Sequence, residues 1–215
     1  MSTHALVVAK TPVPGQVKTR LGAGIGMERA ALLACASLLD TLAACSAAFG
    51  PERCHVSLAG DLAGAVGAPE IEAALAGWTV HPQAGETFGD RLADAHARVP
   101  GAVVQVGMDT PHLTPALLLA AADGLDVHDA VLGPAEDGGW WVLGLRDPGA
   151  ASVLRAVPMS TPTTYADTLA ALVGAGLDVG ATTTLRDVDE VPDAEAVARL
   201  APTTRFAAAW GLVTA

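Results

Sequence analysis

The sequence is short of aromatic residues, of positive charge and of cysteine, and each shortage removes a class of explanation. Phe, Trp and Tyr make up only 4% of its 215 residues. A hydrophobic fraction of 51% must therefore build a core from Ala, Val, Leu and Ile, which suffices for one sizeable domain spanning residues 1–215. Lys and Arg number 12 against 23 Asp and Glu, a formal charge of −11. Without a basic run to meet a phosphate backbone, no nucleic-acid partner is expected. The three cysteines, Cys35, Cys45 and Cys54, make no CxxC pair. They predict a reducing compartment, with neither a disulfide framework nor a cysteine zinc site. His81, His96, His112 and His128 are scattered and lack the HExxH or HxH spacing of a zinc site. No GxSxG elbow and no GxxxxGK[ST] phosphate loop is present. Asp40 interrupts the apolar run most suggestive of a membrane span, and Lys10 ends the first apolar run too early for a signal peptide. A cytoplasmic protein with no membrane span is the expectation. Nothing in the sequence selects an oligomeric state.

What is present is an alternation of short β-type runs and Ala/Leu-rich helical stretches. His4–Ala9, Arg53–Ala59, Trp78–His81, Ala102–Gly107, Ala130–Gly133, Trp140–Leu145 and Thr182–Asp189 read as strands. Those without polar alternation are expected to be buried on both faces. Met27–Ala48, Pro69–Ala76, Thr87–Val99, Pro162–Val173 and Pro192–Leu200 read as helices, as does the stretch entered at Thr114 (N-cap) and Pro115. A loop fills Thr11 to Gly26. Strand-then-helix order predicts an α/β three-layer sandwich around a central, mostly parallel mixed sheet. Ligands of such sheets bind outside the carboxyl ends of the strands.

Four unusual segments follow predicted strands. The first, Lys10 to Leu21, concentrates Lys10, Lys18 and Arg20 in one loop, made irregular by Pro12, Pro14 and Gly15. Exposed backbone N–H groups, an Arg fork and a Lys point charge suit phosphate oxygens, although a solvated basic turn has the same composition. The second, Val106-Gly-Met-Asp-Thr-Pro111, delivers Asp109 to a strand end, where it can hold Mg²⁺ or Mn²⁺ or simply cap a turn. The third, Gly133 to Trp141, sets Glu136 and Asp137 before Gly138, Gly139 and Trp140. Asp-Gly marks a hairpin turn, and we expect that hairpin to form a ligand wall, with glycines admitting backbone to the ligand. The fourth, Leu185 to Asp193, puts Asp187 and Asp189 on one strand face by the period of two, and one of them can be a second metal ligand. Arg91, near a helix start, either meets an acidic substrate group or pairs with Asp94 or Glu86.

Together these motifs resemble the bacterial DUF2064 family of glycosyltransferase-like proteins in the GT-A superfamily. The resemblance covers about residues 4–200. It rests on Lys-x-Pro-x-Pro-Gly-x-Val-Lys-Thr-Arg-Leu at 10–21, Gly-x-Asp-x-Pro at 107–111, Gly-Pro-x-x-Asp-Gly-Gly plus an aromatic at 133–140, and Asp-Val-Asp with Pro-x-Asp at 187–193. Phe88 stands for the family's usual Leu in the segment before Arg91, and tryptophans stand where tyrosines are more usual. The resemblance implies a nucleotide-diphospho-sugar transferase fold, with the nucleotide at the N-terminal half and the acceptor at the C-terminal half. Asp109 is then the metal aspartate and Asp189 the second ligand, with the loop holding Lys10, Pro14, Gly15, Lys18, Thr19 and Arg20 as the phosphate loop.

Two reactions fit. In one, a nucleoside triphosphate gives its nucleotidyl group to a small phosphorylated acceptor, with Lys18 and Arg20 neutralising the leaving pyrophosphate. In the other, a nucleotide-sugar donates a glycosyl group to a small-molecule acceptor, with Asp137 or Glu136 beside the sugar. Three basic residues in one loop favour the first. A nucleotide-binding module without catalysis is the third reading.

Overall fold

The computed structural model describes residues 2–214. Seven strands form one sheet: β1 (His4–Lys10), β2 (Cys54–Ala59), β3 (Thr79–Pro82), β4 (Val103–Val106), β5 (Ala130–Pro134), β6 (Trp140–Leu145) and β7 (Val179–Ala181). Their order is β3-β2-β1-β4-β6-β5-β7. β1 is buried along its length until Lys10, because Ala-Leu-Val-Val-Ala offers no polar side chain to either face. It pairs in parallel with β2 on one side and β4 on the other. Only β6 runs against its neighbours β4 and β5. The chain thus builds outward from β1 through β2 to β3, then crosses back to place β4 on the other flank. Between the carboxyl ends of β1 and β4 lies the crevice where the winding reverses, the place open α/β sheets reserve for ligands.

Helices α1 (Thr19–Ile25), α2 (Met27–Phe49), α3 (Ala68–Ala74), α4 (Phe88–Ala97), α5 (Pro115–Gly124), α6 (Thr164–Gly174), α7 (Val191–Leu200) and α8 (Arg205–Thr214) cover the sheet. One core packs α2, α3 and α5 on the face bearing Val7, Val56, Val104 and Val142. A second packs α4, α6 and the 3-10 turns of Pro148–Ala156 on the face bearing Leu6, Leu132, Leu143 and Leu145. A third, away from the sheet, joins α1, α2, α7 and α8 around Leu21, Leu33, Val197 and Phe206.

α2 meets the length and apolarity of a membrane span, contrary to the expectation that Asp40 disqualifies it, but 61% of its most apolar window is buried within the protein. Asp40 instead caps α8. Its carboxylate accepts from the backbone N–H of Arg205 at 3.1 Å and of Phe206 at 2.9 Å. Cys35, Cys45 and Cys54 are free and buried. Burial, then nearby Glu70, pushes the Cys35 thiol up to about 11; burial, then Glu52, pushes Cys54 up to about 12. Neither is poised as a nucleophile.

Four expectations are corrected. Within the loop assigned to Thr11–Gly26, Thr19–Ile25 is helical. Gly22 and Gly24 weaken its intrinsic propensity, yet a Cβ at Gly22 would lie 2.5 Å from Met27 Sδ and one at Gly24 2.8 Å from Val191 Cγ2, so their absence lets α1 nest against α2 and α7. The last strand is Val179–Ala181, not Thr182–Asp189; the latter segment is irregular and touches the sheet through one bridge, Ala135 to Leu185. α8 is a helix beyond those expected. Finally, of the four histidines expected to be scattered, His81 joins two others: His4 Nδ1 lies 3.2 Å from His55 Nε2, and His55 Nδ1 3.5 Å from His81 Nε2, in a row across β1, β2 and β3.

Candidate functional site

Every segment singled out by its composition reaches the carboxyl edge of the sheet, and the loops there enclose a cleft with two lobes. The first, about 560 Å³, lies over the ends of β1 and β4 and is lined by Lys10, Gln16, Lys18, Thr19, Arg20 and Arg91 among others. The second, about 440 Å³, lies toward β6 and is lined by Asp137, Gly139, Trp140, Asp187 and the segment Met159–Pro162. Val8, Arg20, Phe88, Asp109, Ser160 and Asp189 border both, so the lobes meet there.

The basic loop is shaped by its own backbone. Val13 N–H donates to Thr11 O and Gln16 N–H to Val13 O, while Gly15 takes φ +76°, a conformation a side chain resists. Lys18 also has positive φ, +46°, as the residue that opens α1. Its side chain turns inward rather than to solvent. At 8% exposure its amine lies 2.6 Å from Asp109 Oδ1 and 3.0 Å from Asp189 Oδ1, and it donates to Val188 O. Burial opposes the charge, but the two carboxylates outweigh it and hold the amine above its ordinary pKa. Lys18 is thus a charged clasp between the two expected metal ligands, not a free phosphate contact. Arg20 is 72% exposed and only 3.4 Å from Asp189 Oδ2, so it projects over the first lobe.

Arg91 does not pair with Asp94, which binds Arg98 at 2.8 Å. Its Nε donates to Thr87 O at 3.3 Å, and its guanidinium stands 5.9 Å from the Phe88 ring centroid. Both side chains border the first lobe. The helix itself starts as predicted by Thr87, with a capping box to Asp90. Phe88, the first residue of that helix, is 41% exposed at the cleft.

The acidic wall is the hairpin between β5 and β6. Asp137 Oδ1 accepts from Gly139 N–H at 2.7 Å, and Gly138 takes φ +91°. For Gly138 the expected reason is corrected: a Cβ there would lie 2.0 Å from Pro162 O, so this glycine admits a neighbouring loop, not a ligand, whereas Gly139 lines the second lobe. Glu136 turns to Arg186 at 2.5 Å. Trp140 reaches Thr168 Oγ1 at 3.2 Å and packs in the second core with one edge at the cleft, while Trp141 is fully core.

The irregular segment 182–189 crosses behind this wall. Glu136 N–H donates to Leu185 O, and Val188 N–H to Asp109 O at 2.9 Å. The crossing brings Asp187 and Asp189 to Asp137: one carboxylate oxygen from each lies within 4.8 Å of the others. Burial, then the like charges of Asp137 and Asp189, raises Asp187 to about 6. Three converging carboxylates, of which, among the described residues, Asp189 alone has cationic partners in Lys18 and Arg20, match the hard oxygen donors of Mg²⁺ or Mn²⁺. The group differs from the predicted pair: Asp189 belongs to it, whereas Asp109 lies across Lys18 from Asp189 and outside it. Asp137, expected beside a sugar, and Asp187, the alternative to Asp189 on the same strand face, complete it.

Sequence reasoning missed Gln83, whose amide bridges Ala9 O and Ser57 O at 3.1 Å each at the ends of β1 and β2. It also missed Ser160 (φ +60°) and Thr161. The hydroxyl- and proline-rich run Ser160-Thr-Pro-Thr-Thr164 was the available signal.

A family model described as "Uncharacterized protein conserved in bacteria (DUF2064)" matches residues 39–161, more than half of the chain. No curated protein matches. Among solved structures, the chain is similar to a protein from Desulfovibrio desulfuricans G20 given, by inference, as a nucleotide-diphospho-sugar transferase. Identity is 27%, the TM-score 0.83, and 99% of this chain and 94% of that one are covered. It shares the fold of 4-diphosphocytidyl-2C-methyl-D-erythritol synthase from Anaerococcus prevotii DSM 20548, at 10% identity, TM-score 0.60 and coverage of 93% and 99%. It also shares the fold of Rv0371c from Mycobacterium tuberculosis H37Rv, solved in complex with manganese, at 19% identity, TM-score 0.51 and coverage of 92% and 98%. With its motifs in order along a nucleotide-diphospho-sugar transferase fold and the family model matched across its middle, the chain belongs to the bacterial DUF2064 family.

Proposed function

We propose that the chain is a metal-dependent nucleotidyltransferase, moving a nucleotidyl group from a nucleoside triphosphate to a small phosphorylated acceptor. One observation carries the reading: a basic lobe and an acidic lobe meet over Asp109 and Asp189, at the crevice where the sheet reverses its winding. Lys10, Arg20 and Arg91 offer the first lobe positive charge for a triphosphate. The fold of a diphosphocytidyl-forming synthase supports the same assignment. In the reaction, an acceptor phosphate oxygen bonds to the α-phosphorus. The bond from that phosphorus to its bridging oxygen breaks, and pyrophosphate leaves with the electron pair. Arg20 and Lys10 neutralise the charge that leaves. Lys18 keeps Asp109 and Asp189 in register at the meeting point of the lobes. Asp137, Asp187 and Asp189 would hold Mg²⁺ or Mn²⁺, which when bound supplies Lewis-acid stabilisation of phosphoryl oxygens.

The Desulfovibrio neighbour favours a second reading, glycosyl transfer from a nucleotide-sugar. Glu136 is committed to Arg186, so Asp137 is then the acid near the sugar. The deciding experiment measures thermal stability against nucleoside triphosphates and nucleotide-sugars, each with and without Mg²⁺ or Mn²⁺, followed by product analysis. A ligand at about 100 times its Kd adds about 2.7 kcal/mol. A metal-dependent shift with a triphosphate, and pyrophosphate among the products, supports nucleotidyl transfer. A shift with a nucleotide-sugar alone moves the assignment to glycosyl transfer. Binding without turnover, indifferent to loss of Asp109, leaves a non-catalytic module.

A further inference from the structure

Gln105 is the polar residue in an otherwise apolar strand: β4 reads Val-Val-Gln-Val, and all four are buried. Its register partners are Leu6 on β1 and Leu143 on β6. At 3% exposure, an amide there must be hydrogen-bonded or it destabilises the fold. His96 of α4 meets half of the requirement, with Nε2 2.9 Å from Gln105 Oε1. His96 is completely enclosed, and its Nδ1 has no partner. Burial lowers its pKa to about 4, so the ring is neutral and carries one N–H. Placing that hydrogen on Nε2 satisfies Gln105 Oε1 and leaves only a bare lone pair at Nδ1. The reverse arrangement, with the amide flipped, would bury an unpaired N–H.

The Gln105 carbonyl is thereby used, and since Gln105 lines the second lobe, its NH₂ group is the one left for a ligand there. Two residues on along the same sheet face is Gly107, where an added Cβ would meet nothing within 4 Å. Gly107 therefore sets no side chain of its own between the amide and the cleft. Besides the carboxylates of Asp109, Asp137, Asp187 and Asp189, that lobe offers the hydroxyls of Ser160, Thr161 and Thr164 and the edge of Trp140; its lining contains no lysine, and its single arginine, Arg20, stands at the junction with the first lobe.

We infer that the second lobe takes a neutral, hydroxyl-bearing group, and that the Gln105 amide, fixed by His96, donates to one of that group's oxygens. The inference rests on the transferase reading and names the chemistry of its acceptor side. A single acceptor phosphate sits at the junction with Arg20; beyond it the charged side chains of the lobe are the carboxylates of Asp109, Asp137, Asp187 and Asp189, which repel a second anionic group and whose counter-charge is the metal ion that three of them would hold. Gln105 is the specificity residue and His96 a positioning residue.

The test uses the full chain with Mg²⁺ and whichever nucleotide stabilises it. The probes are glucose 1-phosphate, its monodeoxy analogues and glucose 1,6-bisphosphate, with Kd measured by calorimetry. Glucose 1-phosphate should bind more tightly than the bisphosphate. Gln105→Leu should weaken it about ten-fold, the loss of one hydrogen bond, and leave nucleotide Kd unchanged. One monodeoxy analogue should bind the unaltered protein as weakly, and lose nothing further in Gln105→Leu. His96→Phe should reproduce the loss, and His96→Gln, which keeps an N–H for Oε1, should restore affinity. Nucleotide binding accompanied by no glucose 1-phosphate binding, by preference for the bisphosphate, or by indifference to Gln105→Leu overturns the inference and leaves the transferase reading intact. Failure of every nucleotide to bind instead removes the reading on which it rests.

Discussion

The amine of Lys18 stands 2.6 Å from Asp109 Oδ1, deep enough in the fold that only 8% of the side chain is exposed. The same nitrogen serves Asp189, so a single positive charge separates two carboxylates from different parts of the chain. Lys18→Met would leave those carboxylates facing each other. Breaking a buried pair from one side costs about 3–5 kcal/mol, but these acids are 46% and 37% exposed, which reduces the expected loss to about 1–3 kcal/mol. Millimolar Mn²⁺ should restore more stability to the variant than it adds to the unaltered protein, read as a difference in melting temperature. Equal Mn²⁺ effects on both would show that Lys18 does not hold the site in place of a cation.

Asp187 points to an opposite trade. Burial and the charges of Asp137 and Asp189 raise it to about 6 against 3.8 unfolded, so the folded state binds its proton more tightly. Stability tied to that proton is present below pH 3.8 and is lost as pH rises through 6. At pH 7 the carboxylate strains the fold. Asp187→Asn should therefore stabilise the metal-free protein by about 1 kcal/mol, after allowance for solvent screening. It should also weaken Mn²⁺ binding at least about ten-fold, as metal sites do when a supporting group is lost. A variant that is less stable and binds Mn²⁺ unchanged would place Asp187 outside the metal group.

At Gly138 the backbone leaves little latitude. With φ +91° and an added Cβ 2.0 Å from Pro162 O, Gly138→Ala must shift the hairpin or the loop at 162. A cost of about 2 kcal/mol or more is expected in denaturant unfolding. Gly107→Ala, into open space, should cost under about 1 kcal/mol. Similar costs at the two positions would refute the close packing at Pro162.

The buried histidines set a lower limit to the working pH. Burial, then His4 and His81, lowers His55 to about 4, and burial lowers His96 to about 4. Both are neutral in the folded chain while the unfolded chain takes up protons below its ordinary value of about 6.5. Stability is therefore full above about pH 6.5 and falls progressively toward pH 4, by on the order of 3 kcal/mol for the enclosed His96 alone. Urea midpoints across about pH 4–8 would trace the fall, and His55→Gln should flatten part of it. A midpoint constant over that range would contradict neutral burial.

The sheet was legible in the sequence because its strands are bare apolar runs ended by Lys10, Gly107 or Gly133, and the ligand edge because unusual residues cluster after those runs. Composition also revealed the hairpin, through Asp137-Gly138. Thr182–Asp189 misled for a physical reason. Its threonines favour extended backbone, but the regular ladder with β5 stops at Ala181, and the rest follows isolated hydrogen bonds with Pro134, Glu136 and Asp109 that only the fold supplies. The burial of Lys18 was illegible for the same reason: its two acids lie about 90 and 170 residues away in sequence. α8 differs, since Phe206, Ala209, Trp210 and Val213 on one face carry a helical period that the residues alone display.

The reversed direction of β6 constrains how family members can differ. Because β6 starts at the ligand edge, the acidic wall is a tether of five residues from Ala135 to Gly139, clamped by ladder pairs on both sides. A residue added there must be absorbed by the turn or by the irregularity at Gly133–Pro134, or it flips the register of a buried strand. The basic loop after β1 instead runs into a helix and can lengthen or shorten at little cost. Relatives that accept different substrates should therefore vary in length on the nucleotide side, and keep the acidic wall at a fixed number of residues while exchanging the side chains upon it.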